Sequence, residues 1–224
     1  MPSGRPLGLC GKRYDYMEID EVRKFFSAIL PERTDHILMF RLQSNCGLRI
    51  SEVVGVFKKR KLKDGTPRTT NIPPLRCSDI VMDRKILKIQ GKRNKRRDVT
   101  FESEPTVEEA LKRHFELENP PDILLLNRSG RRLGKPYTPR QAWEIMKKYC
   151  IKAGIQRPWS GPGAASPHLL RHTYATQLLM AGANITWVQM QLGHDSIATT
   201  QIYSNLAAVG KARATAEGIP KVPY

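Results

Sequence analysis

Apolar residues recur at helical spacing along most of this chain and at strand spacing over only a short middle stretch. Ile19, Val22, Phe26 and Ile29 fall on one face of a first helix. A second, over 34–46, is apolar nearly all round, which marks it as central, and Gly47 supplies its C-terminal stop. Ser51 opens a short third helix. The pattern then breaks. Residues 57–74 combine the run Lys58-Lys59-Arg60-Lys61 with Gly65, Pro67, Pro73 and Pro74, and read as an extended, partly ordered basic loop. Short strands follow over 79–82, 86–90 and 97–101, the last two joined by a turn over 91–95.

Beyond the strands the helical period returns. Thr106 and Glu109 have capping-box spacing and open a helix to about Leu117. The stretch 123–126 is too short for a helix and is expected to be a strand. Thr138 and Gln141 form a second capping box with Pro139 at the first helical position, and that helix runs to Ala153 before Gly154. Pro167 starts a helix that Gly182 ends; another spans 185–192 and stops at Gly193. Ser196 caps a last helix bearing Tyr203. No internal repeat is present. The expected fold is mainly α with a small antiparallel β-sheet (α+β), one domain preceded by a loose, basic tail over 1–17.

Charge changes the picture more than hydropathy does. In 224 residues, 38 Lys and Arg against 21 Asp and Glu give a formal net charge of +17, which suits a polyanionic partner because each neutralised phosphate releases counterions. Nucleic acid leads. No long basic amphipathic helix favours a membrane surface, no apolar run approaches a membrane span, and the N-terminus lacks a signal-peptide core. Cys10, Cys46, Cys77 and Cys150 form no CxxC pair, so they read as reduced thiols of a cytoplasmic protein, with Cys46 and Cys150 buried near helix ends.

The candidate chemistry lies mostly in the last quarter. His168 and Arg171, three apart on a helix, project from one face and can address one phosphate, the arginine through two parallel hydrogen bonds. His172 completes an i,i+4 histidine pair, but no glutamate sits between the two and no third ligand is indicated, so no metal is expected. His172 is assigned a supporting role. His194 follows a helix-stopping glycine and so sits at a corner that can present it into a cleft. A tyrosine such as Tyr203 can act as a covalent nucleophile. Upstream, Arg49 opens a helix whose N–H groups also favour phosphate, and Glu52 three residues on can hold it. Lys92 occupies the turn between strands, amid Arg93, Lys95, Arg96 and Arg97, for which contact with DNA is the ordinary role.

Gly47-Leu48-Arg49-Ile50-Ser51-Glu52, Gly91-Lys92, the stretch 168–176 (HLLRHTYAT) and the stretch 192–203 (LGHDSIATTQIY) together resemble the motifs of the tyrosine recombinase, or phage integrase, family, closest to its Xer-like branch in bacteria, archaea and mobile elements. The resemblance implies a catalytic domain over 18–206. In it Tyr203 attacks a phosphodiester to form a 3′-phosphotyrosyl link, Arg49, Arg171 and His194 stabilise the phosphate, Lys92 protonates the leaving 5′ oxygen and His168 accepts the tyrosine proton. The link conserves bond energy, so no cofactor, metal or ATP is implied. The implied partners are double-stranded DNA and further copies of the chain, as a tetramer on DNA. The chemistry is shared with type IB topoisomerases, and a non-catalytic DNA-binding module could keep the same fold.

Three departures carry expectations. Family members usually place a core-binding domain before the catalytic one, whereas about sixteen residues precede the first helix here, so the chain is expected to be either a fragment of a longer recombinase or a minimal one that grips DNA from one side, with weaker, more salt-sensitive binding. The basic insert over 57–74 lengthens the Arg49-to-Lys92 gap and offers Lys58, Lys59, Arg60 and Lys61 as replacement contacts. Arg93 stands where the family usually has glycine, leaving Lys95 as the alternative catalytic lysine. The tail over 207–224 is a candidate segment for docking between subunits.

Overall fold

The computed structural model describes residues 16–61, 65–155 and 167–193. Its element order is α1 (Ile19–Ser27), α2 (Thr34–Ser44), α3 (Ile50–Val53), β1 (Val56–Lys61), β2 (Pro67–Ile72), β3 (Ile80–Val81), β4 (Ile86–Gln90), β5 (Arg96–Thr100), α4 (Pro105–Glu118), α5 (Pro139–Lys152), α6 (Pro167–Met180) and α7 (Ile185–Leu192). Helix α2 is central, as its pattern predicts: Leu38, Met39, Phe40 and Leu42 are fully buried, and it packs against α3, α4 and α6. The first helix buries Phe25 rather than Phe26, and Phe25 meets Phe40 edge to face at 5.2 Å. None of the described helices is long and apolar enough to cross a membrane.

Four expectations need correction. The segment 57–74 is not a loop: β1 and β2 pair antiparallel in register from Val56 with Ile72 to Lys61 with Pro67. Both faces of this ribbon carry exposed residues, so its sequence shows none of the apolar alternation that betrays a half-buried strand. It forms a sheet separate from β3-β4-β5. The helix expected from Thr106 starts at Pro105 with Glu104 as N-cap, and Thr106 instead lies near the buried Asn45 side chain. Residues 123–126 make only single bridges, Arg76 with Ile123 and Leu126 with Pro136, although Leu124 and Leu125 are buried. Finally, the last two residues of the expected loose tail are anchored. Tyr16 and Met17 are buried, and the Met17 N–H donates to Thr173 Oγ1 at 2.8 Å.

The capping box of α5 forms as predicted, with Gln141 N–H on Thr138 Oγ1 at 3.2 Å and Thr138 N–H on Gln141 Oε1 at 3.0 Å. Cys46 and Cys150 are buried near helix ends, and neither forms a disulfide among the described residues.

A buried polar network ties α2 to α5. Asp35 accepts from Arg33 Nε at 3.0 Å and from the Tyr137 hydroxyl, while His36 Nδ1 bonds the Tyr149 hydroxyl at 2.8 Å. Burial first, then the charges of Arg33, Arg128 and Lys148 against the opposing pull of Asp35, lower the His36 imidazole from 6.5 to about 4. The folded state therefore refuses a proton that the unfolded chain accepts. Its stability is complete above pH 6.5 and is lost as pH falls toward 4, by about 3 kcal/mol for His36 alone. Urea midpoints measured across that window are expected to fall, and His36→Gln to flatten the slope by about one proton.

Candidate active site

Gly47 sets the geometry. Its φ of +63° is left-handed, and a Cβ there would lie 2.6 Å from Tyr174 Cδ1 and 2.7 Å from Leu192 Cδ2. Only glycine lets the α2–α3 turn close onto α6 and α7 together. Arg49, the N-cap of α3, is thereby brought beside Arg171 on α6 and the end of α7.

Three arginines converge on the carbonyls that end α7, groups that no helix can satisfy internally. Arg171 donates to Gly47 O and, at 2.6 Å, to Leu192 O. Arg49 donates to Gly193 O at 3.1 Å and to Glu52 Oε1 at 2.9 Å. Arg97, on β5, donates to Gln191 O at 3.0 Å and forks onto both Glu52 oxygens at 2.9 Å. Gly193 closes α7 in the left-handed conformation at φ +62°. The guanidinium groups are thus complementary to the negative end of a helix, directly beside the residue that precedes His194.

Glu52 is the buried counter-charge of the cluster. Burial would raise its carboxyl, but the hydrogen bonds and charge of Arg97, then the N–H and charge of Arg49, outweigh it and hold the group at about 2.

Arg49, Arg97, Arg171 and Gly193 wall a cavity of about 500 Å³ that also takes in Lys92, Lys95, His168 and His172. Lys92 opens the single 3-10 turn Lys92–Asn94 between β4 and β5 and is exposed at the rim. His168 and His172 are both exposed at the cavity, whose walls strip only part of the hydration of each ring. That loss of hydration, with Arg171, Arg49 and Lys92 nearby, lowers His168 below its ordinary value; for His172, the same loss, then His168 and Arg171, bring it to about 4. Both are therefore neutral near pH 7, and His168 is free of a proton that it would have to shed before acting as a base.

The structure accordingly brings together Arg49, Lys92, His168 and Arg171, with Glu52 and His172 beside them. His194, Ser196 and Tyr203 lie outside the described residues, as do the tail over 207–224 and the side chains of Arg60 and Arg93. Lys58, Lys59 and Lys61 are exposed on the β1–β2 ribbon, and β2 packs against the Lys92–Asn94 turn. Arg96 and Lys95 are exposed at the cavity. Arg97 differs from expectation. Placed by sequence among the DNA-facing cations, it turns inward, with its side chain 15% exposed. Strand alternation carried that signal, since Arg97 shares a face of β5 with the fully buried Val99.

The phage integrase family model matches residues 62–209, more than half of the chain. The chain belongs to the phage integrase family. Among curated members it is 28% identical over 187 residues to the tyrosine recombinase XerA of Thermococcus onnurineus, covering 84% of this chain and 56% of that protein. Among solved structures, a XerA recombinase superposes with a TM-score of 0.68 at 24% identity, covering 96% of this chain and 69% of the other. The XerH site-specific recombinase bound to its difH substrate gives 0.62 at 21% identity, over 88% and 55%. The fold is that of the family's catalytic domains, and this chain spans little more than half the length of the curated XerA that it matches.

Proposed function

We propose that this chain is the catalytic domain of a site-specific DNA recombinase that cuts and rejoins DNA through Tyr203. The observation that carries the reading is the meeting of Arg49, Arg171, Lys92 and His168 at one cationic cavity, with the end of α7 delivering the chain to His194.

In this reaction the Tyr203 oxygen attacks a backbone phosphorus and its proton passes to His168. Arg49 and Arg171 hold the non-bridging oxygens, joined by His194, as charge gathers on them. The bond from phosphorus to the 5′ oxygen breaks, and Lys92 supplies the proton that makes a 5′-hydroxyl. A phenol with an ordinary pKa near ~10 needs such cations and a base beside it. Attack on the 3′-phosphotyrosyl link by the 5′-hydroxyl of a second strand regenerates Tyr203 and completes the exchange. The covalent link conserves the energy of the broken bond, so the cycle needs no ATP and no metal.

The partner is double-stranded DNA, a reading supported by the solved XerH site-specific recombinase bound to its difH substrate, and the working unit is a homo-oligomer, a tetramer on two duplexes. The cationic cavity and the exposed Lys58, Lys59 and Lys61 of the β1–β2 ribbon form a continuous basic track suited to its backbone. Such a protein works in the cytoplasm, where the DNA of a prokaryotic host or mobile element lies.

The test is strand exchange. Two distinguishable duplexes carrying the termini of the native element are incubated with the protein, without metal or ATP. Recombinant junctions are the expected product. Relaxation of supercoiled plasmid without exchange would establish a type IB topoisomerase-like activity instead. Tight binding with no strand breakage at any such site would leave a DNA-binding module.

A further inference from the structure

We propose that Arg97 is a positioning residue that assembles the active site and does not touch DNA; this rests on the cleavage reading above. The guanidinium of Arg97 makes three hydrogen bonds, two to the carboxylate of Glu52 and one to Gln191 O. Glu52 in turn holds both the backbone N–H of Arg49, at 2.8 Å, and its guanidinium, at 2.9 Å. Gln191 O belongs to the helix end whose next two carbonyls receive Arg171 and Arg49. One side chain therefore ties together three separate pieces of the site: α3 with Arg49, β5 beyond the Lys92 turn, and the end of α7 that leads to His194.

The contact is close as well as polar. A Cβ on Gly193 would lie 3.0 Å from Arg97 Cδ and 3.1 Å from Nε and Nη1, so the arginine lies flush against the last residue before His194. Lysine cannot replace it. An ammonium is a point donor on a flexible stem, whereas the planar fork spans both carboxylate oxygens while its Nε reaches a carbonyl on the far side. The Glu52 carboxylate is 1% exposed, so the ion pair is shielded from the salt and water that weaken surface pairs.

A DNA contact and a positioning residue leave different marks. Removing a phosphate contact weakens binding and lowers the slope of log K against log salt by about 0.9. Removing a positioning residue leaves that slope alone and slows the chemistry of fully bound enzyme, for which small misplacements cost about 100-fold.

The experiment measures covalent adduct formation on saturating nicked DNA, together with the salt slope of binding, for the parent, Arg97→Lys, Arg97→Ala, Glu52→Gln and Glu52→Gln/Arg97→Ala. Arg97→Lys keeps the charge and tests the fork should the alanine variant fold poorly. Expected are an adduct rate down about 100-fold in both Arg97 single variants, with an unchanged salt slope. Adding Arg97→Ala to Glu52→Gln should cost less than about threefold more, because Arg97 acts largely through that carboxylate. Parental adduct rates in Arg97→Lys overturn the proposal, as does a salt slope reduced by about one with the saturated rate intact. A parent that forms no adduct removes the cleavage reading and this proposal together; an active parent beside an equally active Arg97→Lys removes this proposal alone.

Discussion

Arg171→Ala is expected to lower the rate of DNA cleavage by about 10³-fold or more and to lower the melting temperature as well. The two effects have separate causes. Arg171 is 6% exposed, and its guanidinium satisfies Gly47 O and Leu192 O. Removing it strands Gly47 O, at about 1–3 kcal/mol where water cannot replace the donor, while Leu192 O keeps only the longer contact from Arg49 Nη1 at 3.4 Å. For a domain of this size that corresponds to a fall of roughly 2–12 °C. The catalytic loss is larger, because deleting a single donor to a developing oxyanion costs about 10²–10³ in rate, and here the donor is a charged fork. Arg171→Lys separates the two effects. It restores a charge and one hydrogen bond, so it should melt near the parent while cleaving about 100-fold more slowly. Adduct kinetics and thermal melts on the same preparations check both.

The largest effect on stability is expected at Glu52. Its carboxylate is the shared partner of Arg49 and Arg97, and Glu52→Ala leaves two cations facing each other in a partly buried site. Breaking such a pair costs about 3–5 kcal/mol, or roughly 6–20 °C in melting temperature. The surface pair Arg140–Glu144, whose side chains are 74% and 54% exposed, is the natural control: Glu144→Ala should change stability by no more than about 0.5 kcal/mol. The bonds and charges of Arg97 and Arg49, which outweigh burial, fix a pH dependence. The Glu52 carboxyl is lowered from 4.5 to about 2, so the stability that it contributes is complete above pH 4.5 and is lost as pH falls toward 2. Acid titration of the parent should show that loss, and Glu52→Gln should not.

Much of this site was legible in the sequence because the chemistry sits in short local patterns. The i,i+3 spacing of His168 and Arg171 on a helix, the glycine stop before Arg49 and the pairing of Arg49 with Glu52 are properties of a few neighbouring residues, and the fold preserves them. What escaped depends on the third dimension. The carbonyls of Gln191, Leu192 and Gly193 are backbone groups, and no side chain announces that three arginines will gather on them. Arg97 was hidden by its neighbours: inside a run of cations it looks solvated, and only its alternation with Val99 betrays an inward face. The β1–β2 ribbon was missed for the opposite reason. With polar residues on both faces it carries no hydrophobic period, and cross-strand pairing between Phe57–Lys61 and Pro67–Asn71 decided its form. Phe25 displaced Phe26 from the core because a short helix leaves its rotation to tertiary packing, here against Phe40 and Tyr149.

Cleavage by Tyr203 would join the protein covalently to DNA, and that link can be trapped. The parent and Tyr203→Phe are incubated with labelled, nicked duplexes carrying candidate sites, without metal or ATP, and denatured in detergent. Label is expected at the mass of the protein for the parent and none for Tyr203→Phe. An adduct that survives in Tyr203→Phe would contradict cleavage by Tyr203, as would a parent that binds the ends of its native element tightly yet never retains the label.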